Sequence, residues 1–460
     1  MTARPPRMDR LLGSPEGQAL QARFGGPETK RVLREVLLEG TRGWRDGGPV
    51  PEAEEVLAEA GRRLEALFRP PLRRVLNATG VILHTNLGRA PFSPGLLRQV
   101  SEILSGYTDL ELDLAEGGRG HRDAALEALL RRLLGTDYAV LVVNNNAAAT
   151  LLLLNTFSSG RETLVSRGEL VEIGGGFRMP EVMRASGAHL REVGTTNRTR
   201  PADFRKAAGP RSGLLLKVHT SNYRIVGFTE EVSLRDLVAL GRELRLPVAF
   251  DLGSGLLWEG LKALLPDEPS VAEALREGPD AVCFSGDKLL GACQAGILLV
   301  KPRWAEAFRK NPLTRALRVD KVAYALLAAV AERYLRDRPE EVPALALFAR
   351  PPKELRRRAR ALARRLSALC PGAFGLEVVE AEGRSGAGSA PVTPLPSPAL
   401  AVVPRRGSTE ELERFLRTGG DPPVLAQVAE GRVLLHLRTL LPGEEALLAA
   451  RLRSYAGRRS

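Results

Sequence analysis

The chain of 460 residues is long enough for two or three domains with a buried core, and its hydrophobic fraction of 44% is ordinary for a globular protein. Because no apolar run has the length of a membrane span and the N-terminus lacks a signal-peptide pattern, we expect a cytoplasmic protein. The three cysteines and five scattered histidines form neither a disulfide framework nor a metal-ligand pattern, so no metal site is expected.

The formal net charge of +13 is unusual for an enzyme that acts on a small substrate. A positive surplus attracts polyanions, and nucleic acid is the commonest of them. Arginine predominates over lysine, which a GC-rich genome or a hot habitat would also explain. The charge therefore favours an RNA partner, with a purely compositional origin as the alternative.

Residues 1–68 are predicted to be all-helical and distinct from the rest of the chain. Apolar residues at helical spacing over 30–38 and 52–68 indicate amphipathic helices. Their polar faces carry five arginines, Arg31, Arg34, Arg42, Arg62 and Arg63. A charged helix face is usually only solvated, so RNA binding by this domain depends on more than the pattern.

Strands and helices alternate in the next domain, predicted at 69–345. Apolar runs predict strands at 81–83, 139–143, 163–165, 190–193, 214–218, 248–250, 281–284 and 297–300. Helical patterns lie between most of them, for example at 124–134, 180–186 and 233–244. The alternation predicts an α/β fold with a mostly parallel sheet covered on both faces. Ligands of such sheets bind at the carboxyl ends of the strands.

A lysine follows one of these strands, in the sequence Ser285-Gly-Asp287-Lys288. An ammonium group held at a strand end loses hydration, so its pKa can fall and the neutral amine can attack a carbonyl. The hydroxyl of Ser285 could meet a phosphate, and the nearby glycines let backbone N–H groups approach an anion. Taken alone, the motif also fits a surface lysine in a turn.

Two further polar groups follow apolar strands. Asp251 precedes a glycine-rich turn, where an acid can hold a pyridinium nitrogen protonated. A helix start whose N–H groups suit a phosphate carries three asparagines, Asn144, Asn145 and Asn146. Plain N-capping is the alternative for these asparagines. Phosphate cradle, acid and lysine, in this order, are typical of fold-type-I pyridoxal phosphate enzymes.

A smaller α+β domain is predicted at 346–460, after a long helical pattern at 321–338. It opens with a very basic helix at 353–366. Residues 382–398 are rich in Gly, Ser and Pro, which predicts a mobile loop or a hairpin tip.

With these motifs, the chain resembles the bacterial selenocysteine synthases, the L-seryl-tRNA(Sec) selenium transferases. The similarity covers nearly the whole chain and includes Asn77-Ala-Thr-Gly-Val-Ile-Leu-His-Thr-Asn-Leu-Gly-Arg89, Ser166-Arg-Gly-Glu-Leu-Val-Glu, Glu192-Val-Gly-Thr-Thr-Asn, Lys217-Val-His219-Thr-Ser-Asn-Tyr, Asp251-Leu-Gly-Ser-Gly, Phe284-Ser-Gly-Asp-Lys288 and Asn311-Pro-Leu-Thr-Arg315-Ala-Leu-Arg318. One departure follows the lysine, where the family usually has Gly-Gly-Pro-Gln and this chain has Gly291-Ala292-Cys293-Gln294. Replacing proline frees one φ angle and adds a thiol, so the shape of this loop is open.

The resemblance implies an aspartate-aminotransferase fold, pyridoxal 5'-phosphate as the cofactor and a homo-oligomer, a decameric ring of dimers. It also implies the reaction, in which L-seryl-tRNA(Sec) becomes L-selenocysteinyl-tRNA(Sec). Loss of the serine hydroxyl would leave an aminoacrylyl intermediate, to which selenium from selenophosphate adds. The helical domain at 1–68 would bind the tRNA.

Residue roles follow from the same resemblance. Lys288 would hold the cofactor as an imine and then take the Cα proton, and Asp251 would stabilise the charge at the ring nitrogen. Asp287 is counted with the catalytic residues. His219 could stack on the cofactor ring, with a satisfied core histidine as the alternative. The cofactor-binding set is completed by Ser285, Asn144, Asn145 and Asn146.

Three arginines need a role other than the one they have in aminotransferases. An esterified serine offers no free carboxylate for an arginine to bind. Arg89, Arg315 and Arg318 are therefore assigned to the selenophosphate dianion. Arg315 and Arg318 are three residues apart and share one face of a helix or turn. Their alternative role is structural pairing with Asp320 or with glutamates.

Two other functions stay open at this point. The chain could be a small-molecule lyase or transferase of the same fold, or an RNA-binding protein with an inactive enzyme fold. The N-terminal helices and the two-arginine motif argue against the first, and the intact Lys288 and Asp251 argue against the second.

Overall fold

The structure, a computed structural model, describes residues 4–173, 176–390 and 393–458. The chain folds as two compact units, Met1–Arg74 and Val75–Ser460. The predicted division into three domains, with a boundary near residue 345, stays a prediction. Of the helices in the described ranges, none is both long enough and apolar enough to cross a bilayer.

The first unit consists of helices α1 (Met8–Gly13), α2 (Pro15–Phe24), α3 (Gly26–Arg45) and α4 (Ala53–Leu67). Leu33 and Val36 of α3 pack with Ala60 and Leu64 of α4 in a small core. These residues recur three or four positions apart, so each helix buries a single stripe. The helices predicted at 30–38 and 52–68 are confirmed.

The second unit alternates strands and helices. Its strands are β1 (Leu76–Ala78), β2 (Ala139–Val143), β3 (Glu162–Ser166), β4 (Glu172–Ile173), β5 (Phe177–Arg178), β6 (His189–Val193), β7 (Ser212–Val218), β8 (Val248–Gly253), β9 (Ala281–Ser285), β10 (Gly296–Val300), β11 (Phe374–Val379), β12 (Glu382–Gly383), β13 (Leu395–Pro396), β14 (Ala399–Pro404), β15 (Val424–Ala429) and β16 (Arg432–His436). Its helices are α5 (Pro94–Leu104), α6 (Ala124–Leu134), α7 (Asn146–Ser158), α8 (Met179–Ala185), α9 (Pro201–Ala207), α10 (Leu234–Leu244), α11 (Glu259–Leu264), α12 (Val271–Glu277), α13 (Pro302–Lys310), α14 (Pro312–Ala316), α15 (Lys321–Leu335), α16 (Pro343–Ala349), α17 (Pro352–Leu369), α18 (Thr409–Thr418) and α19 (Glu444–Gly457). Short 3-10 helices lie at Thr85–Leu87, Arg167–Glu169 and Pro339–Glu341.

The larger sheet has the strand order β2-β10-β9-β8-β7-β3-β6. Neighbours from β9 to β6 run parallel, and β10 is antiparallel to both β9 and β2. Val140 and Val142 of β2 belong to the core on one face, whereas Leu141 and Val143 belong to the core on the other. The predicted α/β fold, with a mostly parallel sheet buried on both faces, is confirmed.

A second sheet has the order β1-β15-β16-β14-β11 and packs with helices α17, α18 and α19. Its first strand, β1, comes from the segment before the larger sheet and pairs parallel with β15. The basic helix predicted at 353–366 is confirmed as α17. The helix predicted at 321–338 is confirmed as α15, which ends at Leu335.

The strand predicted at 81–83 is wrong. Val81 forms only an isolated bridge with Arg384, and the chain turns at Gly80, whose φ is +81°. The N–H groups of Ile82 and Leu83 donate to carbonyls of the segment predicted as a mobile loop or hairpin, at 3.0 and 2.7 Å. That segment is a hairpin of β12 and β13, so its backbone takes up the hydrogen bonds that a sheet neighbour would otherwise supply.

Candidate active site

Lys288 lies in the turn between β9 and β10 and is only 5% exposed. The turn is closed by hydrogen bonds from Gly286 N–H to the Ala295 carbonyl, at 2.8 Å, and from Gly291 N–H to the Lys288 carbonyl, at 3.0 Å. These bonds fix the backbone on both sides of the lysine. Lys288 is therefore located in a buried turn just after the end of β9, as the sequence predicted.

The surroundings of Lys288 favour its neutral amine. Burial lowers the pKa of Lys288, and the nearby cation of Arg89 lowers it further, whereas Asp251, Asp287 and Glu268 act in the opposite direction. The net pKa is below that of an ordinary lysine, because lost hydration disfavours the ammonium form.

Asp251 lies in β8, buried, with both carboxylate oxygens held by helix α7. Asn146 Nδ2 donates to Oδ1 and Thr150 Oγ1 donates to Oδ2, each at 2.9 Å. Burial raises the pKa of Asp251 despite these hydrogen bonds. A cationic partner would offset that cost of burial, so the site suits a positively charged ring nitrogen.

The three asparagines have different contacts. Asn145 caps α7, because its side chain accepts a hydrogen bond from Ala148 N–H at 2.8 Å, as the N-capping alternative requires. Asn144 is exposed, and its N–H donates to the Leu317 carbonyl at 2.9 Å. Oδ1 of Asn146 is buried and has no hydrogen-bond partner within the described chain. An orphaned buried acceptor fits a site that a bound group completes.

The loop that departs from the family pattern is tied to the same strand ends. Gln294 Nε2 donates to the Asn144 carbonyl at 3.4 Å, and a Cβ at Gly296 would lie 2.1 Å from the Asn145 carbonyl oxygen. Glycine at 296 is therefore required for β10 to approach α7. Burial raises the pKa of Cys293 to about 12, so its thiol is not a nucleophile near neutral pH.

Asp287 is buried and bound by Arg89. One guanidinium nitrogen of Arg89 lies 3.0 and 2.8 Å from the two carboxylate oxygens. The backbone of Arg89 has φ of +63°, a conformation that costs energy in a residue with a side chain and persists where surrounding contacts impose it. Arg89 thus has a protein partner beside Lys288, and its assignment to selenophosphate stays a prediction.

His219 follows β7, and its backbone N–H donates to the backbone carbonyl of Asp251 at 2.9 Å. Its Nε2 lies 3.4 Å from Oε1 of Glu268, a carboxylate that is 1% exposed. Neither of these two atoms has a directed hydrogen bond to any residue that the structure describes. The other oxygen of Glu268 accepts a hydrogen bond from Ala390 N–H at 2.9 Å. Burial opposes ionisation of Glu268, but the contacts with His219, Ser254 and Ala390 lower its pKa overall.

A cavity of about 620 Å³ opens beside His219 and Glu268. Its wall includes a buried ion pair, with Lys217 Nζ 3.0 Å from Oε1 of Glu169. Among the described residues, Lys288 is not part of the wall. The cavity therefore reaches the strand ends at Val218 and His219, the last residue of β7 and the first after it.

The two arginines of the predicted anion motif differ in their contacts. The side chain of Arg315 in α14 is exposed and forms neither a hydrogen bond nor an ion pair with any described residue. Arg318 bridges the backbone of Val143 at the end of β2, and its guanidinium lies 3.7 Å from Oε1 of Glu111. Asp320 instead caps α15, so the alternative of structural pairing holds for Arg318 with a glutamate but not with Asp320.

Sequence reasoning missed two side chains of this site. Thr150 lies four residues after Asn146, so helical spacing would have placed both on the face that meets Asp251. Glu268 lies in a loop, and its contacts come from residues far away in the sequence, so no local pattern marks it.

Ser285, which was predicted as a cofactor-binding residue, is buried at the end of β9, and its hydroxyl has no hydrogen bond among the residues that the structure describes.

Comparisons with known proteins agree with this geometry. Residues 75–441 match the family L-seryl-tRNA selenium transferase, and residues 6–38 match the family selenocysteine synthase N terminal. The L-seryl-tRNA(Sec) selenium transferase of Carboxydothermus hydrogenoformans is 45% identical over 444 residues, 95% of this chain and 94% of its own length. That of Desulfomicrobium baculatum is 47% identical over 461 residues, 98% of each chain.

Among solved structures, a D-glucosaminate-6-phosphate ammonia-lyase matches with a TM-score of 0.58 and 20% identity. The match covers 84% of this chain and 96% of that chain, and at this identity it bears on the fold alone. The predicted fold of the fold-type-I pyridoxal phosphate enzymes is confirmed. The predicted enzyme class, a pyridoxal phosphate-dependent selenium transferase, is confirmed by the family match and the named relatives. The full-length similarity shows that the chain belongs to the L-seryl-tRNA selenium transferase family.

Proposed function

We propose that this chain converts L-seryl-tRNA(Sec) into L-selenocysteinyl-tRNA(Sec), with selenophosphate as the selenium donor and pyridoxal phosphate as the cofactor. The main supporting observation is that Lys288 is buried, has a lowered pKa and interacts electrostatically with Asp251. Asp251 is itself held by Asn146 and Thr150, and the chain belongs to this family. Relatives named for this activity match the chain over almost its whole length.

The described residues fit the cofactor. Lys288 Nζ would hold it, Asp251 would face its ring nitrogen and His219 would stack on the ring. Its phosphate would lie near Ser285 and the amino end of α7, where Asn144, Asn145 and Asn146 lie. When bound, pyridoxal phosphate supplies an electron sink that stabilises negative charge at the serine Cα.

The residues around Lys288 supply the proton chemistry. The lowered pKa of Lys288 favours the neutral form of Nζ, which is the form that would accept the Cα proton. Asp251, held by Asn146 and Thr150, is placed so that its negative charge would favour a proton on the ring nitrogen. Arg89 and Asp287 fix the turn that carries the lysine.

Selenophosphate binding is assigned to the arginines. Arg315 is exposed with its charge unpaired in the described chain, and Arg318 has only a long contact with Glu111. A planar guanidinium donates two parallel hydrogen bonds to a dianion without changing its own protonation. Arg89 is kept in this set as a prediction, although its guanidinium is already engaged by Asp287.

The proposal includes the tRNA-binding role of the N-terminal helices and assembly into a decameric ring of dimers in the cytoplasm. Arg34 and Arg42 of α3 have no ion pair within the described residues, which supports binding of an anion by the first unit. Large apolar side chains are exposed in the second unit, which supports association of copies; they include Tyr107, Leu114, Val226 and Phe228.

The test supplies purified protein with seryl-tRNA(Sec), selenophosphate and pyridoxal phosphate, and analyses the aminoacyl group by mass spectrometry. We expect selenocysteinyl-tRNA(Sec) as the product. Release of free pyruvate with no selenium in the aminoacyl group, even at saturating selenophosphate, would mean that the chain is a lyase and not a transferase.

A truncation separates tRNA binding from cofactor binding. Deleting residues 1–74, which form a compact unit of their own, should weaken binding of tRNA(Sec) while the absorbance of bound pyridoxal phosphate is retained. Unchanged tRNA affinity would remove the N-terminal unit from the proposal. The oligomer is measured by light scattering coupled to gel filtration, with a mass of about ten chains expected.

A further inference from the structure

Helix α17 carries more positive charge than the ion pairs among the described residues neutralise. Its 18 residues contain seven cations and one acid, Glu354. Four of the cations recur at intervals of four, three and four residues and form what we call the basic stripe: Lys353, Arg357, Arg360 and Arg364. All four are exposed, and along the helix axis they span about 16 Å at 1.5 Å per residue.

The basic stripe lies opposite the buried face of α17. The buried residues of this helix recur at the same intervals, as Leu355, Ala359, Leu362 and Leu366. Each follows or precedes a stripe position by two residues, which corresponds to about 200° around the helix. Packing against the second sheet therefore turns the basic stripe towards solvent.

The acids of neighbouring elements are already engaged. Glu380 pairs with Arg356, Glu445 with Arg358, and Glu377 of β11 with Arg432. Glu354 lies 4.0 Å from Arg358. Within the described ranges, none of the stripe residues has an ion pair or a side-chain hydrogen bond, so their charges are compensated by solvent alone.

We propose that the basic stripe of α17 is a second RNA-binding surface, which contacts the phosphate backbone of the tRNA. Four arginine and lysine side chains in a row bind phosphates without reading sequence, and Arg is suited to phosphate by its planar fork.

RNA fits this surface better than a membrane does. A membrane-surface helix buries its apolar face in the lipid, while its basic residues contact the headgroups. The apolar face of α17 is buried in the protein, so only charge is left to attract a partner. This inference rests on the proposed tRNA substrate and extends it to a helix outside the N-terminal unit.

The test compares two triple variants of the full-length protein loaded with cofactor. The stripe variant carries Arg357→Ala, Arg360→Ala and Arg364→Ala. The control variant carries Arg205→Ala, Arg235→Ala and Arg336→Ala, which remove the same net charge from exposed arginines that pair with glutamates. Affinity for an uncharged tRNA(Sec) transcript is measured between about 50 and 200 mM salt.

The stripe variant should bind the transcript about ten-fold or more weakly, and its plot of log affinity against log salt should be shallower by about two to three units. The control variant should resemble the wild type, and circular dichroism and cofactor absorbance should be unchanged in both. Equal losses in the two variants would mean a general effect of net charge and would overturn the inference. So would an unchanged stripe variant, or a stripe variant that loses only binding to vesicles of anionic lipid.

The outcome is separable from that of the proposed function. A wild-type protein that transfers selenium while the stripe variant binds tRNA normally contradicts the inference alone. A wild-type protein that binds the transcript but forms no selenocysteinyl-tRNA contradicts the proposed function, and the binding comparison still decides the role of α17.

Discussion

The ionisable side chains of the second unit fall into two groups that differ in burial and in pairing. At the strand ends, Asp251, Asp287 and Lys288 are each 5 or 6% exposed and lie within a network of protein contacts. At α14 and the turn after it, Arg315 and Arg318 are exposed, and within the described chain their only ionic contact is Glu111 at 3.7 Å. Burial shifts the pKa of Asp251 upwards and that of Lys288 downwards, whereas the charges of Arg315 and Arg318 stay available to a ligand.

This difference separates two tasks of a transferase. A group that must gain and lose protons needs a pKa moved from its ordinary value, and removing water moves it furthest. A group that must bind a dianion from solution needs a lasting charge, which burial would make costly. The buried centre should therefore control the chemistry, and the exposed arginines should control donor affinity.

The largest effect is expected from Lys288→Ala. Without Nζ the protein has no amine to hold the cofactor or to accept the Cα proton, so turnover should fall to background while the fold is kept. The measurement is borohydride treatment of the cofactor-loaded protein followed by peptide mapping, with Lys310→Ala as the control because that lysine is exposed in α13. A reduced label on any lysine other than Lys288 in the wild type would remove it from the site.

The buried centre was largely predictable from the sequence. Asp251 and Lys288 each follow an unbroken apolar run, and such runs are strands buried on both faces of a parallel sheet, whose carboxyl ends meet at one edge. The order of these strands in the sheet was not needed for that prediction, because the edge is common to all of them.

The contacts that complete the site were not predictable in the same way. Glu268 is placed by His219, Ser254 and Ala390, which are 14 to 122 residues away in the chain, so no window of sequence contains the cluster. The segment 81–83 has the composition of a strand, but its partner is a hairpin far along the chain, and local apolar character does not distinguish the two situations.

An intermediate effect is expected at the exposed arginines. Arg315→Ala should raise the selenophosphate concentration needed for half-maximal rate by about 10- to 150-fold, the equivalent of about 1.5–3 kcal/mol for a charged hydrogen bond. Arg318→Ala should have the smaller effect, because Glu111 already takes up part of its charge. Arg315→Lys should restore binding only in part, since an ammonium is a point charge.

The readout is product formation as a function of donor and of seryl-tRNA in separate titrations. Both arginine variants should leave the dependence on seryl-tRNA unchanged. A loss of tRNA affinity with normal donor affinity would move these arginines to the RNA surface and weaken the contrast between the two groups.

The smallest effect is expected from Glu268→Gln, and its direction with pH is fixed by the contacts of this carboxylate. The folded protein lowers the pKa of Glu268 below its ordinary value of 4.5, so the unfolded chain takes up the proton first as the pH falls. The stabilising contribution is therefore complete above about pH 4.5 and is lost as the pH drops below it. The glutamine can still accept the Ala390 N–H bond, whereas the buried carboxylate charge beside His219 is lost, which should cost about 1–3 kcal/mol at pH 7. Thermal midpoints of wild type and variant, followed by circular dichroism from pH 7 downwards, should differ at neutral pH and converge in acid. Midpoints that stay equally far apart at every pH would mean that the variant disturbs packing of the hairpin rather than removing a charge.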